Sequence, residues 1–98
     1  MAETGETPRN RAIITVLGSD RSGIVAAVTG VLAEHEANIL DISQTILQGI
    51  FTMTMLVELP AAADAFQRIQ GRLDALGTEL GVQTTMQREE VFRFMYRL

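Results

Sequence analysis

The sequence contains no cysteine, no tryptophan, no lysine and a single histidine. Without cysteine the chain can form no disulfide and offers no thiolate nucleophile, and one histidine is too few for a nitrogen-ligated zinc site. Its eight basic residues are scattered arginines, and the formal net charge is −4, which argues against binding to a phosphate backbone. These absences predict no metal, no cofactor and no nucleic-acid partner.

Long apolar runs and targeting segments are also lacking. No stretch approaches the ~20 apolar residues that cross a bilayer, and MAETGETPRN lacks both segments of a secretion signal, so we expect a cytoplasmic protein and no membrane partner. The 98 residues suffice for one domain, yet 47% are hydrophobic, which indicates that a partner subunit covers apolar surface. We expect a disordered leader over residues 1–10 and a single domain over 11–98.

The first half of that domain begins with a strand and a helix. RAIITVL from Arg11 is rich in β-branched residues and predicts a strand that ends at Gly18. Apolar residues at helical spacing then predict a helix to about Glu36, with Ser22 as candidate N-cap.

A hairpin is predicted next, around Gln48 and Gly49, because glycine at the second position of a two-residue loop suits the turn that matches strand twist. Its register would place apolar pairs on one side of the sheet and threonine and serine pairs on the other. The apolar pairs are Leu47–Ile50, Ile46–Phe51, Ile42–Met55 and Leu40–Val57; the polar pairs are Thr45–Thr52 and Ser43–Thr54.

The second half predicts a helix from Pro60 with Gly81 just beyond its end, an edge strand from Val82, and a short terminal helix over residues 89–98. The order β-α-β-β-α-β is the ferredoxin-like α+β arrangement, an antiparallel sheet with two helices on one face. Right-handed crossovers give the strand order 4-1-3-2. The second strand then lies at a sheet edge, where two copies could pair about a two-fold axis into an eight-stranded homodimer.

The loop GSDRSG joins the first strand to the first helix, where unpaired N–H groups and the helix dipole attract an anion. Gly18 and Gly23 would let a ligand approach the backbone, and Asp20 could accept a hydrogen bond from an ammonium group. That combination suits a free amino acid. The alternative is purely structural: Asp20 and Ser22 cap the helix, and the glycines permit the turn.

Asn38 would lie at the far end of its own subunit from this loop, but edge pairing would carry it next to the partner's loop. Its amide could then contact the ligand across the interface. On local sequence alone, Asn38 is instead a turn residue before the second strand.

GSDRSGIV followed by EANILDISQT resembles the ACT family of regulatory ligand-binding domains over Arg11 to about Met86. ILDISQTILQGIFTM and EEVFRFMYRL are similar to the hairpin and tail of the small stand-alone ACT proteins of unassigned function. A more distant similarity joins the chain to the ACT regions of the glycine cleavage system transcriptional repressor and of formyltetrahydrofolate deformylase.

The resemblance implies a non-catalytic homodimer that binds a small effector, an amino acid or similar molecule, and passes the signal to an unidentified regulated protein. The implied binding residues are Gly18, Asp20, Arg21, Gly23, Ile24 and Val25, with Asn38 and Ile39 of the neighbour. Ser22 belongs to the same loop but stands where many ACT loops have proline, which implies a less rigid loop.

Three other functions share this topology. An acylphosphatase needs an arginine beside an asparagine, and here Arg21 and Asn38 would lie at opposite ends of one subunit. An RNA-binding domain stacks bases on sheet aromatics, but Phe51 is expected to face the helices. A protein-protein adaptor without a ligand would dock through the apolar residues of the terminal helix.

Overall fold

The chain alternates β-branched strands with two amphipathic helices, and the computed structural model describes its residues 10–19 and 23–95. The elements are β1 (Arg11–Ser19), α1 (Ile24–Glu34), β2 (Asn38–Leu47), β3 (Ile50–Glu58), α2 (Ala65–Leu80), β4 (Gln83–Arg88) and α3 (Glu89–Met95). The strands form one antiparallel sheet in the order β2-β3-β1-β4. The predicted ferredoxin-like fold and strand order are confirmed.

The core lies between α1, α2 and one face of the sheet. Alternate residues of β1 and β3 are buried there, which is the period of two expected for strands covered on one side. α1 and α2 contribute aliphatic stripes at helical spacing. The largest fully buried side chains are Ile14, Ile24, Leu32, Met53, Met55, Ile69 and Leu73.

The predicted leader falls mostly on residues 1–9, outside the described part of the chain. Asn10 is described and is held on two sides. Its carbonyl accepts a hydrogen bond from the Leu59 N–H at 2.7 Å, and its amide donates to the Pro60 carbonyl at 2.8 Å. These bonds tie Leu59 and Pro60 to Asn10, and α2 begins at Ala65 rather than at Pro60.

Both ends of the connection between β1 and α1 differ from the sequence prediction. β1 continues to Ser19, so Gly18 is a strand residue paired with Phe51 rather than the first residue of a loop. The N-cap of α1 is Gly23, at φ +92°, rather than Ser22. Asp20, Arg21 and Ser22 lie outside the described residues.

α1 ends at Glu34, two residues earlier than predicted. Glu36 takes the left-handed conformation at φ +60°, and the Ala37 N–H turns back to the Leu32 carbonyl at 2.9 Å. This closing bond satisfies a terminal carbonyl and stops the helix. The predicted stop after α2 is confirmed, because Gly81 is left-handed at φ +75°.

The hairpin of β2 and β3 has the predicted turn, with positive φ at both Gln48 and Gly49. The predicted register holds from Leu47–Ile50 through Ile42–Met55. The pair Leu40–Val57 is wrong: a bulge lies at Leu40, and Ile39 faces Val57. Strand alternation also puts Leu47 and Ile50 on the side of the threonine pairs rather than with the other apolar pairs.

α3 lies on the sheet face opposite α1 and α2, which we call the open face. Arg11 alternates with buried Ala12 and therefore points to this face, where it bonds Glu89 at the start of α3. Gln87 donates to the Met95 sulfur at 3.6 Å from the same side. α3 thus covers the end of the open face where β1 begins.

Candidate functional site

The first turn of α1 supplies backbone donors without helix acceptors. The first backbone hydrogen bond runs from the Ala27 N–H to the Gly23 carbonyl at 2.9 Å. The N–H groups of Ile24, Val25 and Ala26 precede it and therefore have no carbonyl within the helix. Together with the helix dipole, these donors favour an anion at this end of α1.

The side chains here fix the helix start rather than offer chemistry. Ile24 is 1% exposed and anchors the first turn in the core, and Val25 is half-buried against it. Gly23 has no atom within 4 Å of where a Cβ would lie, so its glycine is required by the φ of +92° and not by crowding. At the start of α1, the predicted binding loop therefore offers backbone N–H groups rather than reactive side chains.

Gly18 has a packing reason of its own. A Cβ on Gly18 would lie 2.6 Å from the Cγ1 of Val82, which follows α2 in the chain. The absence of a side chain at Gly18 lets the Val82 segment close over the end of β1. Its glycine is thus explained without a ligand.

Asn38 and Ile39 lie at the other end of the sheet. Asn38 is exposed and pairs with Glu58 of β3. Gly18 pairs with Phe51, which lies near the other end of β3. Seven residues of β3 separate those two levels, about 23 Å at about 3.3 Å per residue. One subunit therefore does not bring Gly18 and Asn38 together. Ile39 is half-buried and packs against the core.

The free edge of β2 is unusually apolar. Four of its large apolar side chains are exposed, namely Leu40 (42%), Ile42 (39%), Ile46 (57%) and Leu47 (68%). In a two-residue hairpin the residues flanking the turn exchange both backbone bonds, and the bonded pairs then recur every second residue. The backbone groups of Ile42, Gln44 and Ile46 therefore point away from β3, towards the free edge.

A separate cleft of about 200 Å³ lies where α1 ends, between Glu34, His35 and Glu36 on one side and Pro60 and Arg68 on the other. His35 Nδ1 lies 2.9 Å from the Val31 carbonyl of its own helix. The cleft therefore combines two carboxylates and the C-terminus of α1, which disfavour an anion, with the guanidinium of Arg68, which favours one. Residues 10–19 and 23–95 hold no group of three or more metal-binding side chains.

The sequence did not predict the buried ion pair between Arg11 and Glu89. Glu89 is 6% exposed, and both of its carboxylate oxygens accept hydrogen bonds from Arg11, from Nε and Nη2, at 2.7 Å each. Arg93 donates to it from the next turn at 2.9 Å. The bonds from Arg11 hold the pKa of Glu89 below its ordinary value, against the opposing effect of burial, and the same contact raises the pKa of Arg11. The sequence places Glu89 and Glu90 at the start of a helix, where acidic side chains suit the helix dipole, but it does not indicate a partner for either of them.

The described part of the chain contains no helix with the length and apolarity to span a membrane. Phe51 is buried on the helix side of the sheet, as expected, so it is not available for stacking bases on the open face.

The family model described as ACT domain matches residues 10–87. A UPF0237 protein of Methanosarcina acetivorans is 55% identical over 89 residues, which cover 91% of this chain and 97% of that protein. Among solved structures, an ACT domain protein from Streptococcus pneumoniae is 43% identical with a TM-score of 0.74, covering 84% of this chain and 92% of its own.

Two longer proteins contain a similar region. A glycine cleavage system transcriptional repressor is 28% identical with a TM-score of 0.72, and the match covers 80% of this chain and 44% of that one. A formyltetrahydrofolate deformylase from Burkholderia mallei is 17% identical with a TM-score of 0.70, covering 83% of this chain and 28% of that one. The latter likeness is one of fold.

Proposed function

Because the chain belongs to the ACT domain family, whose members are typically regulatory ligand-binding domains, we propose that it is a non-catalytic, cytoplasmic homodimer that senses a small amino-acid-like effector. The observation that carries the proposal is the start of α1, where left-handed Gly23 precedes three N–H groups without helix acceptors. Its output would pass to another protein.

The ligand would be a zwitterion. Its carboxylate accepts hydrogen bonds from the N–H groups of Ile24, Val25 and Ala26, where the dipole of α1 favours negative charge. Asp20 accepts from the ammonium group, and Arg21 and Ser22 belong to the same connection. A carboxylate without the ammonium group would meet Asp20 as a like charge and bind less well.

The second half of the site would come from a partner whose β2 pairs antiparallel with this β2. The groups that point outward at the free edge belong to Ile42, Gln44 and Ile46, so a two-fold axis at Gln44 would pair Gln44 with itself and Ile42 with Ile46. In the single subunit the Ile42 N–H donates to Asp41 Oδ1 at 2.9 Å, and the pairing would exchange this bond for one to the partner. This pairing covers exposed Ile42 and Ile46 of both subunits and joins the sheets into eight strands.

The same register carries the partner's Asn38 towards the loop. Gly18 is level with Ile46, which would face Ile42 of the partner subunit. Allowing for the bulge at Leu40, the partner subunit's Asn38 lies three residues further on, about 10 Å beyond Gly18 along the strand direction. That is the level of the connection from Ser19 to Gly23.

Calorimetric titration with each of the twenty amino acids tests the ligand. For the one that binds, Asn38→Ala should weaken affinity about 10-fold or more, because a hydrogen bond to a charged group contributes about 1.5–3 kcal/mol. Gln67→Ala, an exposed polar truncation on α2, is the matched control and should bind as the parent does. A folded dimer that binds none of the twenty would contradict the amino-acid ligand.

A single cysteine tests the dimer, because the parent chain has none. Gln44→Cys should form a disulfide-linked pair of chains under mild oxidation, since an axis at residue 44 places the two Cα atoms about 5.5 Å apart. Thr45→Cys is the control: its two copies would be offset by two residues along the strands, beyond disulfide reach. Equal cross-linking of both variants, or of neither, would contradict this register.

A further inference from the structure

α3 is fixed on the sheet mainly through its first residue. Glu89 is the one residue of the described helix that is buried, whereas Val91 (46% exposed), Phe94 (76%) and Met95 (55%) lie largely in solvent. Burial of an apolar stripe is what normally holds a helix against a sheet. In α3 such burial is confined largely to half-buried Phe92, so the polar contacts of Glu89 become decisive for its position.

The junction between β4 and α3 is anchored on both faces of the sheet. Arg88 points to the helix side, where it donates to the Asn10 side-chain oxygen at 3.3 Å and lies over the Phe66 ring, 4.7 Å from its centroid. Glu89, the next residue, points to the open face and accepts both bonds from Arg11 at 2.7 Å each. The contacts of Arg88 do not involve α3. They hold the end of β4 in place even when Glu89 separates from Arg11.

Two other polar contacts hold α3 less firmly. Arg93 donates to Glu89 from within the same helix, so this bond does not tie α3 to the sheet. Gln87 donates to the sulfur of Met95 at 3.6 Å, and a thioether is a weak acceptor. The described helix spans seven residues, and isolated helices shorter than about 12–15 residues are marginal in water. Without the bonds between Arg11 and Glu89, α3 therefore has little to keep it docked or helical.

We propose that α3 is a releasable cover of the open face, which undocks and unfolds as one unit when Arg11 separates from Glu89, while the sheet, α1 and α2 stay folded. Elements with few buried apolar contacts are the ones that open locally. Release exposes Arg11, which faces Glu58 of β3 and so keeps a carboxylate beside it. The open state is thus spared the cost of an unpaired buried charge. The cover controls access to the Arg11 end of the open face.

Amide hydrogen exchange of the full chain, followed by NMR at one protein concentration and at several sub-denaturing concentrations of urea, tests the proposal. The helical N–H groups of Arg93, Phe94 and Met95 report on α3, and those of Ile14 and Met55 report on the central strands. The α3 amides should exchange at least about 100-fold faster than the strand amides. Their rates should not rise in low urea, because local opening exposes little surface, whereas the strand amides should accelerate.

Substitutions on two separate elements identify the contact that controls release. Glu89→Gln and Arg11→Gln should each raise the exchange rates of all three α3 amides by one common factor of about 10 or more, because a hydrogen bond to a charged group is lost. Glu90→Gln, the exposed neighbour, should change them by no more than about 2-fold. Because Arg11 lies on β1, its effect distinguishes release of α3 from simple fraying of a helix end. Circular dichroism verifies that each variant is folded.

Two results would overturn the proposal. If the α3 amides exchange as slowly as those of Ile14 and Met55 and accelerate with urea in parallel, α3 unfolds only together with the whole domain. If they exchange fast but respond to neither Arg11→Gln nor Glu89→Gln, the helix frays without any control by this contact. Neither result involves an amino-acid ligand or the edge-paired dimer, so the proposed function is tested separately.

Discussion

Removing the charge of Glu89 should destabilise the protein more than any other single carboxylate neutralisation on α3. Glu89→Gln keeps the shape of the side chain but turns one of its two acceptor oxygens into a donor that faces Arg11. Arg11 then loses one of its two charge-assisted bonds in either orientation of the amide, and Arg93 also loses its acceptor when the amide nitrogen takes the Oε2 position.

The burial of the pair sets the magnitude. Exposed ion pairs contribute about 0.2–1 kcal/mol, whereas removing one partner of a buried pair costs about 3–5 kcal/mol. The side chain of Glu89 is 9% exposed and that of Arg11 is 24% exposed, so water can solvate the abandoned guanidinium in part. We expect a loss of about 2 kcal/mol, which for a domain of this size lowers the melting temperature by roughly 8–16 °C.

Thermal unfolding at pH 7 and one fixed protein concentration measures the effect, because association also shifts the melting temperature. Glu90→Gln, the exposed neighbour on the same turn, should change the free energy of unfolding by no more than about 0.5 kcal/mol. A double-mutant cycle with Arg11→Gln isolates the pair and should give a coupling of about 1–3 kcal/mol. Equal melting temperatures for Glu89→Gln and Glu90→Gln would refute the reasoning.

Two further predictions follow from particular residues. Because the pKa of Glu89 is lower in the folded than in the unfolded chain, its contribution is complete above about pH 5 and is lost as the pH falls through the folded value; acid titration of Glu89→Gln should show a shallower loss. In α2, Gly71→Ala should stabilise by up to about 1 kcal/mol in urea unfolding, since nothing lies within 4 Å of its Cβ position. Gly77→Ala should destabilise, since its Cβ would lie 2.8 Å from the Val82 carbonyl; equal effects would contradict the packing at Gly77.

The sheet could be predicted from sequence because its determinants are local. Gln48 and Gly49 fix the turn, and the alternation of apolar with threonine and serine residues leaves one register in which like meets like. The handedness of crossovers then fixes the strand order. The separation of Gly18 from Asn38 follows from that order without any knowledge of side-chain packing.

The bulge at Leu40 could not be predicted in this way. Leu40 is as apolar as Ile42, so a continuous register suits the sequence pattern equally well. The register is broken where the chain leaves α1 through left-handed Glu36 and the Ala37 turn, which sets where β2 enters the sheet. At the bulge itself, Asp41 Oδ1 accepts a hydrogen bond from the Ile42 N–H at 2.9 Å, which the apolar pattern of β2 does not indicate.

The pairing of Arg11 with Glu89 was out of reach for a similar reason. The two residues are 78 positions apart, and they meet because α3 folds onto the open face immediately after β4. The local pattern indicates only that acids suit the first turn of a helix. It does not indicate which face of the sheet that helix will cover.

The structure changes which glycine supports the prediction of a ligand-binding site. Val82 packs where a side chain on Gly18 would lie, so packing alone explains the glycine at that position. The left-handed Gly23 and the first turn of α1 are then the features that support a backbone binding site. Since β1 extends to Ser19, only residues 20–22 join the strand to Gly23. A connection of three residues supplies few side chains, so a ligand on the α1 donors needs contacts from elsewhere. In the proposed edge-paired dimer the free edge of β2 is where a partner would bring Asn38 to that ligand, so the proposal predicts that binding requires dimerisation.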